Sequence, residues 1–139
     1  MTDPSQIFRF EVVPFEGALL IESFYPARID VGRLSVTIAD YYDLWDVDEP
    51  ILALADVTKV VSFSDDLKKI LHSVLTRTAL QSNFVSASWY TGGNAIMTAV
   101  LEEILIDMAG TTSSIFETRD EAVSYLSHKL ARYRDGLES

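Results

Sequence analysis

The sequence predicts one α/β domain in which an N-terminal β-hairpin joins a mostly parallel sheet. The main observation is an alternation in the second half of the chain, where an apolar run typical of a strand is followed three times by a segment with helical spacing. The three pairs of strand and helix are 51–56 and 64–80, 84–90 and 94–108, and 114–117 and 119–133. Because long helices between strands connect parallel neighbours, these pairs predict βαβ crossovers. The second observation is a different, antiparallel pattern at the start of the chain.

The hairpin is predicted from two short segments. Residues 7–14 alternate apolar and polar side chains, as a strand with one buried face does. Glu16 and Gly17 offer a turn, and residues 18–24 form a second strand-like run. Two such segments joined by a short loop that contains glycine indicate an antiparallel hairpin.

A helix is predicted over residues 28–46, although part of this segment also alternates like a strand. Asp30 stands where an N-cap residue belongs. The helix must end before Pro50, because a proline disfavours helical angles in the preceding residue. The apolar residues that recur at helical intervals over this segment are Val31, Leu34, Ile38, Tyr41 and Trp45.

The three later helices have clearer apolar stripes and recognisable ends. Gly110 is expected as the C′ residue of the second helix, and Thr118 and Glu121 have the spacing of a capping box at the start of the third. The stripes consist of Leu67, Ile70, Leu71, Val74, Leu75 and Thr78, then Ile96, Val100, Leu101, Ile104, Leu105 and Met108, then Ala122, Val123, Leu126 and Leu130.

Length and composition limit the classes of protein to consider. A chain of 139 residues with 48% hydrophobic residues predicts one packed domain, over residues 7–134, with flexible ends at 1–6 and 135–139. The 21 acidic residues outnumber the 11 basic ones, and the net charge of −10 argues against nucleic acid as a partner. The chain has no cysteine, which excludes disulfides and thiolate metal sites.

The sequence also argues against a membrane location. The start of the chain lacks the basic and apolar regions of a signal peptide. The most apolar helix, 95–108, is interrupted by acidic residues, which argues against membrane insertion. We therefore expect a cytoplasmic protein.

Several segments resemble one known family. The segment 115–126, with sequence Ile-Phe-Glu-Thr-Arg-Asp-Glu-Ala-Val-Ser-Tyr-Leu, resembles the close of STAS-like domains. These are small relatives of the sporulation anti-sigma-factor antagonists and are often grouped with SEC14-like lipid-binding domains. Residues 40–42 before the strand 50–56, and the strand 84–90 before the turn 91–94, are similar to further parts of that group.

The resemblance covers residues 29–126 and implies both a fold and a kind of function. It implies a STAS-like fold and a bacterial, non-catalytic regulatory or protein-interaction domain with a protein partner, and it leaves a homodimer open. In the antagonists, a phosphorylatable serine follows an aspartate at a helix start, with a glycine soon after. Here neither Ser62 nor Ser64 follows an aspartate, and the glycine is missing.

Ser62 and Ser64 have two interpretations. As kinase targets they would acquire nearly two negative charges at the predicted start of a helix, where the helix dipole attracts an anion. Asp65 and Asp66, expected in the first helical turn, would repel that charge. Alternatively, Ser64 caps the helix through its hydroxyl, and this interpretation is favoured.

The turn Thr91-Gly92-Gly93-Asn94 also has two interpretations. Its backbone amides could hold a phosphate or carboxylate, with Trp89 and Tyr90 as flat walls. The segment is neither a dinucleotide fingerprint nor a Walker loop, and a tight turn with positive φ explains it equally well.

These residues define one candidate site. Together with Asp56, at the end of a buried strand, and Thr58, just beyond it, the turn 91–94 is predicted to form the surface that binds a partner or a ligand. The competing function is a small-molecule or lipid-binding module that uses the crevice between the loops 56–66 and 91–94. The carboxylate of Asp56 is expected to need hydrogen bonds from the following loop.

The remaining polar and aromatic residues predict no chemistry. The acidic residues at 40–49 lack the pattern of a calcium loop, His72 and His128 lack the spacing of metal ligands, and no nucleophile motif is present. We therefore expect no metal, no cofactor and no enzymatic activity. Tyr41 and Trp45 are assigned to the core, and Tyr42 is the better candidate for an exposed aromatic residue.

Overall fold

The computed structural model describes residues 8–29, 31–63, 66–110 and 112–138. It contains a five-stranded sheet, a two-stranded sheet and four helices within these ranges. The elements in chain order are β1 (Arg9–Phe15), β2 (Ala18–Phe24), β3 (Arg28–Ile29), α1 (Val31–Asp43), β4 (Ile51–Asp56), β5 (Ser62–Phe63), α2 (Leu67–Ala79), β6 (Phe84–Tyr90), α3 (Ala95–Ala109), β7 (Ile115–Phe116) and α4 (Arg119–Glu138).

The main sheet has the predicted mixed topology. Its strand order is β1-β2-β4-β6-β7, with β1 antiparallel to β2 and every later pair parallel. The hairpin turns at Glu16 and Gly17, whose φ angles are +49° and +84°. The prediction of an α/β domain with a hairpin and a largely parallel sheet is confirmed.

Helices cover the two faces of the sheet unequally. On one face α4 buries Leu126 and Leu130 completely against Leu52 and Leu54 of β4. On the other face α1, α2 and α3 form a three-helix layer, which packs against Trp89 of β6. Because the parallel strands end at one edge of this layered core, the loops that follow β4, β6 and β7 are brought together there.

Most of the predicted helix ends and core residues agree with the structure. Gly110 has a φ of +70° at the end of α3. The Thr118 hydroxyl lies 2.9 Å from the Glu121 carboxylate and accepts from the Glu121 N–H at 3.3 Å, which is the expected capping box. Trp45 is 3% exposed, although it lies beyond the end of α1. None of the helices in the described ranges combines the length and apolar character needed to cross a membrane.

The start of α2 differs from the prediction. The helix begins at Leu67 with Asp66 as its N-cap residue, so Asp66 is not in the first turn, and its side chain forms no capping hydrogen bond. Asp30, Ser64 and Asp65 lie outside the described residues. The capping roles expected for Asp30 and Ser64, and the first-turn position expected for Asp65, therefore stay predictions. Two short strands, β3 and β5, were not predicted, because two residues are too few to show a pattern.

The neighbouring residues Tyr41 and Tyr42 of α1 differ in burial, as expected. Tyr41 is 7% exposed and packs in the core, whereas Tyr42 is half-buried. The Arg77 guanidinium lies 3.8 Å from the centroid of the Tyr42 ring, a cation–π contact at the protein surface. At the other end of the chain, α4 continues to Glu138, beyond residue 134, where the sequence places the end of the domain.

Candidate functional site

The Asp56 carboxylate is satisfied within its own loop at the end of β4. Its Oδ1 accepts hydrogen bonds from the Thr58 backbone N–H at 2.9 Å and from the Thr58 hydroxyl at 2.6 Å. This is an Asx turn, in which a carboxylate bonds the backbone two residues ahead. Asp56 therefore shapes the loop, which is the structural use that the sequence indicated.

Asn94 connects two of the loops at this edge of the sheet. Its Oδ1 accepts from the Met97 N–H at 3.2 Å, which makes Asn94 the N-cap of α3. Its Nδ2 donates to the Val60 carbonyl at 2.7 Å and to the Val57 carbonyl at 3.4 Å. One side chain thus starts a helix and fixes the loop that follows β4.

The two glycines of the 91–94 turn are required by its backbone conformation. Gly92 and Gly93 have φ angles of +59° and +84°, where residues with a Cβ are strained. The Gly92 N–H donates to the Glu117 carbonyl at 2.8 Å, and the Asn94 N–H donates to the Thr91 carbonyl at 3.0 Å. Because the Gly92 and Asn94 amides already bond to protein, these two are not available to an anion, which favours the tight-turn interpretation.

The loops 56–66 and 91–94 touch each other in the described part of the predicted crevice. A Cβ at Gly92 would lie 3.0 Å from the Thr58 Cγ2 atom, and the Asn94 side chain reaches across to Val60. These contacts narrow the space between the described residues of the two loops, and ligand binding there stays a prediction. A cavity of about 270 Å³ lies elsewhere, between the sheet and the α1–α3 layer, and Trp89 belongs to its wall.

Trp89 and Tyr90 are not exposed walls beside the turn. They are 6% and 7% exposed, and Thr91 is 4% exposed. Successive residues of a strand point to opposite faces, so Trp89 packs with the α1–α3 layer and Tyr90 with α4. Thr91 and Gly93 border a second depression, of about 300 Å³, on the side of Glu102 and Glu117.

A partly buried polar network under the same edge is not apparent from sequence spacing. The Arg119 guanidinium binds both carboxylate oxygens of Glu22, with distances of 2.8 to 3.2 Å, and the Tyr90 hydroxyl donates to Glu22 at 2.6 Å. Burial, and then the bond to Glu22, raises the pKa of Tyr90, and the bond to Glu22 raises the pKa of Arg119. The sequence contains one signal of this network, because Glu22 lies inside an otherwise apolar strand. A carboxylate that is buried in such a strand needs a hydrogen-bonding or charged partner.

Ser62 is exposed and does not stand at a helix start. It lies in β5, directly opposite Arg28 of β3 in the short parallel pair. The backbone N–H groups of Val61 and Ser62 both donate to the Ala27 carbonyl, at 2.7 and 3.2 Å, which fixes this loop against the start of β3. Ser64, the other predicted phosphorylation site, lies outside the described residues.

The histidines and acidic residues do not converge in the described part of the chain. His72 Nε2 lies 3.8 Å from the Asp107 carboxylate on the outside of α2 and α3, and His128 is exposed on α4. Within the described ranges, no three histidine, aspartate or glutamate side chains are grouped so that they could hold a metal ion.

Comparison with known proteins identifies a structural relative. No protein-family model matches the sequence, and no curated protein matches it. Among solved structures, the chain is similar to an anti-sigma factor antagonist from Mycobacterium paratuberculosis, with a TM-score of 0.53 and 13% identity over 90% of this chain and 97% of that one. At this identity the similarity shows the fold. The expected distant resemblance to STAS-type antagonists is confirmed at that level.

Proposed function

We propose that the chain is a cytoplasmic, non-catalytic regulatory domain that binds a protein partner. The binding site would be the strand-end surface, which we define as the exposed residues Val61, Ser62, Gly92, Gly93 and Glu117. Val61 and the β5 residue Ser62 lie in the segment that follows β4, Gly92 and Gly93 lie in the turn after β6, and Glu117 follows β7.

The observation that carries this proposal is that the three loops are joined to one another by hydrogen bonds. Asn94 bonds the Val60 carbonyl, Gly92 bonds the Glu117 carbonyl, and the Val57 N–H donates to the Tyr90 carbonyl at 3.3 Å. A surface that is already ordered before binding loses less conformational entropy when a partner binds. Preorganisation of exposed loops at the ends of strands therefore favours recognition.

Two further observations support a protein partner. The structural relative is an anti-sigma factor antagonist, a name that describes regulation of another protein. The net charge of −10 favours a partner with a basic face, because complementary charge accelerates association. A homodimer stays open as an additional mode of association.

Phosphorylation of Ser62 is proposed as the means of regulation. A phosphate adds about −1.5 to −2 charges at neutral pH and pairs readily with arginine. Arg28 is exposed directly opposite Ser62 in the β3–β5 pair, and Lys59 is exposed in the preceding turn. The modified side chain would thus meet basic groups beside the strand-end surface and change what a partner contacts.

The proposal is tested by affinity capture from extracts of the source cell. The baits are the unmodified chain, Val61→Lys and, as a matched control, Ile106→Lys. Val61 and Ile106 are similarly exposed, at 66% and 60%, but Ile106 lies near the C-terminal end of α3, away from the strand-end surface. We expect partners that bind the unmodified chain and the control but not Val61→Lys. Identical partners on all three baits would contradict the proposed site, and identical partners on Ser62→Asp and Ser62→Ala would exclude the phosphate switch.

A further inference from the structure

The space between the sheet and the α1–α3 layer is the most prominent feature that the proposed function does not use. We propose that this cavity, of about 270 Å³, binds a neutral and mainly apolar small molecule that carries one hydrogen-bond acceptor. The site is separate from the strand-end surface, so the inference does not depend on the proposed function.

The cavity exists because the centre of the sheet is lined with small side chains. On this face, Ala53 of β4 is paired with Ala87 of the adjacent strand β6, and Ala55 of β4 is paired with Ser23 of the adjacent strand β2. Neighbours in a parallel pair point to the same face, so these four residues form one shallow floor across three strands. The larger side chains of the helices, among them Leu71 and Leu101, form the opposite wall without filling the space.

The wall chemistry determines the charge of the ligand. No aspartate, glutamate, lysine, arginine or histidine belongs to the described lining of the cavity. A charged group in such surroundings would lose its hydration without gaining a partner. The ligand is therefore neutral and mostly hydrocarbon.

One polar group in the wall indicates where the ligand's acceptor binds. Thr78 is 2% exposed and lines the cavity, and its hydroxyl makes no hydrogen bond of proper geometry in the described part of the chain. Burial raises the pKa of Tyr41 to about 12, and weak, poorly aligned interactions of the Tyr41 hydroxyl with the Thr78 and Trp45 side chains lower it by a smaller amount. The Trp45 N–H is likewise without a partner of proper geometry in the described residues. A buried donor without a partner costs stability, and a ligand carbonyl or ether oxygen would satisfy it.

The volume sets the size of the ligand. A dry cavity of about 150 Å³ accommodates benzene, so a cavity nearly twice as large corresponds to roughly ten to twelve carbon atoms. A ketone or ether of this size, with its oxygen near Thr78, fits both the volume and the chemistry.

The test is a titration with 2-decanone, which has ten carbons and one carbonyl. The chain has two tryptophans, of which Trp89 lines the cavity and Trp45 packs beside Tyr41, so tryptophan fluorescence reports occupancy. We expect a saturable change in emission, a raised unfolding temperature, and binding of sodium decanoate that is at least about tenfold weaker, because the carboxylate must be desolvated. The absence of a saturable response to 2-decanone would overturn the proposal.

Two variants locate the binding in the cavity. Ala87→Leu fills the space, and we expect it to weaken 2-decanone binding at least about tenfold without lowering the unfolding temperature. Ala131→Leu, at an exposed position of α4, is the matched control and should bind as the unmodified chain does. Thr78→Val should weaken binding about fivefold by removing one hydrogen bond, while the ligand-free protein is not destabilised. Equal affinity for 2-decanone in all four proteins would overturn the assignment to this cavity. If Ala87→Leu folds poorly, equal affinity of Thr78→Val and the unmodified chain would overturn it.

Discussion

The Asn94 side-chain amide donates a hydrogen bond of 2.7 Å to the Val60 carbonyl, and the two residues belong to loops that follow different strands. The other end of the same amide group caps α3 through the Met97 N–H. Asn94 therefore performs two separable tasks with its oxygen and its nitrogen. The strand-end surface depends on the nitrogen.

Substitution of Asn94 should separate these tasks. Asn94→Asp keeps an acceptor for the Met97 N–H but removes the donor to Val60, and we expect a loss of about 1–2 kcal/mol in the free energy of unfolding. Asn94→Ala removes the cap as well and should cost about 2–3 kcal/mol. Urea denaturation measures both values. An aspartate variant as stable as the unmodified chain would show that the bond to Val60 contributes nothing.

Gly92 should tolerate alanine poorly, for two distinct reasons. Its φ of +59° disfavours any residue with a Cβ, and the new Cβ would lie 3.0 Å from the Thr58 Cγ2. We expect Gly92→Ala to cost about 1–2 kcal/mol of unfolding free energy. Thr58→Ser removes the contacting methyl group but keeps the hydroxyl that bonds Asp56.

The double variant tests the steric part of that cost. Gly92→Ala should be about 0.5–1 kcal/mol less destabilising in a Thr58→Ser background, because the closest contact is removed and only the backbone strain and a 3.3 Å approach to the Cβ of residue 58 are left. Gly93→Ala is the comparison, since its nearest non-neighbouring atom, Glu117 Oε1, would be 3.8 Å from the Cβ. Additive effects of the Gly92 and Thr58 substitutions would contradict the proposed contact.

The Glu22–Arg119 pair should show measurable coupling. The Glu22 side chain is 5% exposed and the Arg119 side chain is 49% exposed, so solvent weakens the interaction without removing it. A double-mutant cycle of Glu22→Gln and Arg119→Met should give a favourable coupling energy of about 1–2 kcal/mol in urea denaturation. Effects that add within about 0.3 kcal/mol would show that the two side chains act independently.

Stability should fall at alkaline pH because of buried tyrosines. The pKa of Tyr41 is raised to about 12 by burial, and that of Tyr90 is raised by burial and by Glu22. Below pH 10 both residues are neutral in the folded and the unfolded chain. Above pH 10 the unfolded chain releases these protons first, so the unfolding free energy falls by about 1.4 kcal/mol per pH unit for each tyrosine.

The Tyr41→Phe variant isolates one of these contributions. Urea denaturation between about pH 10.5 and pH 11.5 should show a slope shallower by up to about 1.4 kcal/mol per pH unit for Tyr41→Phe than for the unmodified chain, because the unfolded chain has lost the Tyr41 proton in this range and the folded chain has kept it. Tyrosinate absorbance measured in parallel should show that Tyr41 loses its proton at a higher pH than a tyrosine in water does. Equal slopes in the two proteins would mean that Tyr41 ionises in the folded chain as it does in water.

Elements with local signals were predictable from the sequence. The hairpin, the long strands and the helices with apolar stripes follow from periodicity, and the ends of α3 and α4 follow from Gly110 and from the pair Thr118 and Glu121. The positive φ angles of Gly92 and Gly93 likewise follow from residue type. In each case the cause lies within a few residues of the effect.

Features that depend on distant residues were not predictable. Glu22 and Arg119 are 97 residues apart in the chain, and no local pattern pairs them. The contacts that Thr58 and Asn94 make between the loops 56–66 and 91–94 depend on how closely the two loops approach. The cavity over Ala53 depends on the distance between two layers, which periodicity does not encode.

The central claim is that the strand-end surface contacts a protein partner. Its most direct test is site-specific photocrosslinking in the source cell, with a photoreactive amino acid in place of Val61 or, as a control of similar exposure, in place of Ile106. We predict a protein adduct that forms from position 61 and not from position 106. The absence of an adduct at position 61, or the same adduct from both positions, would contradict the claim.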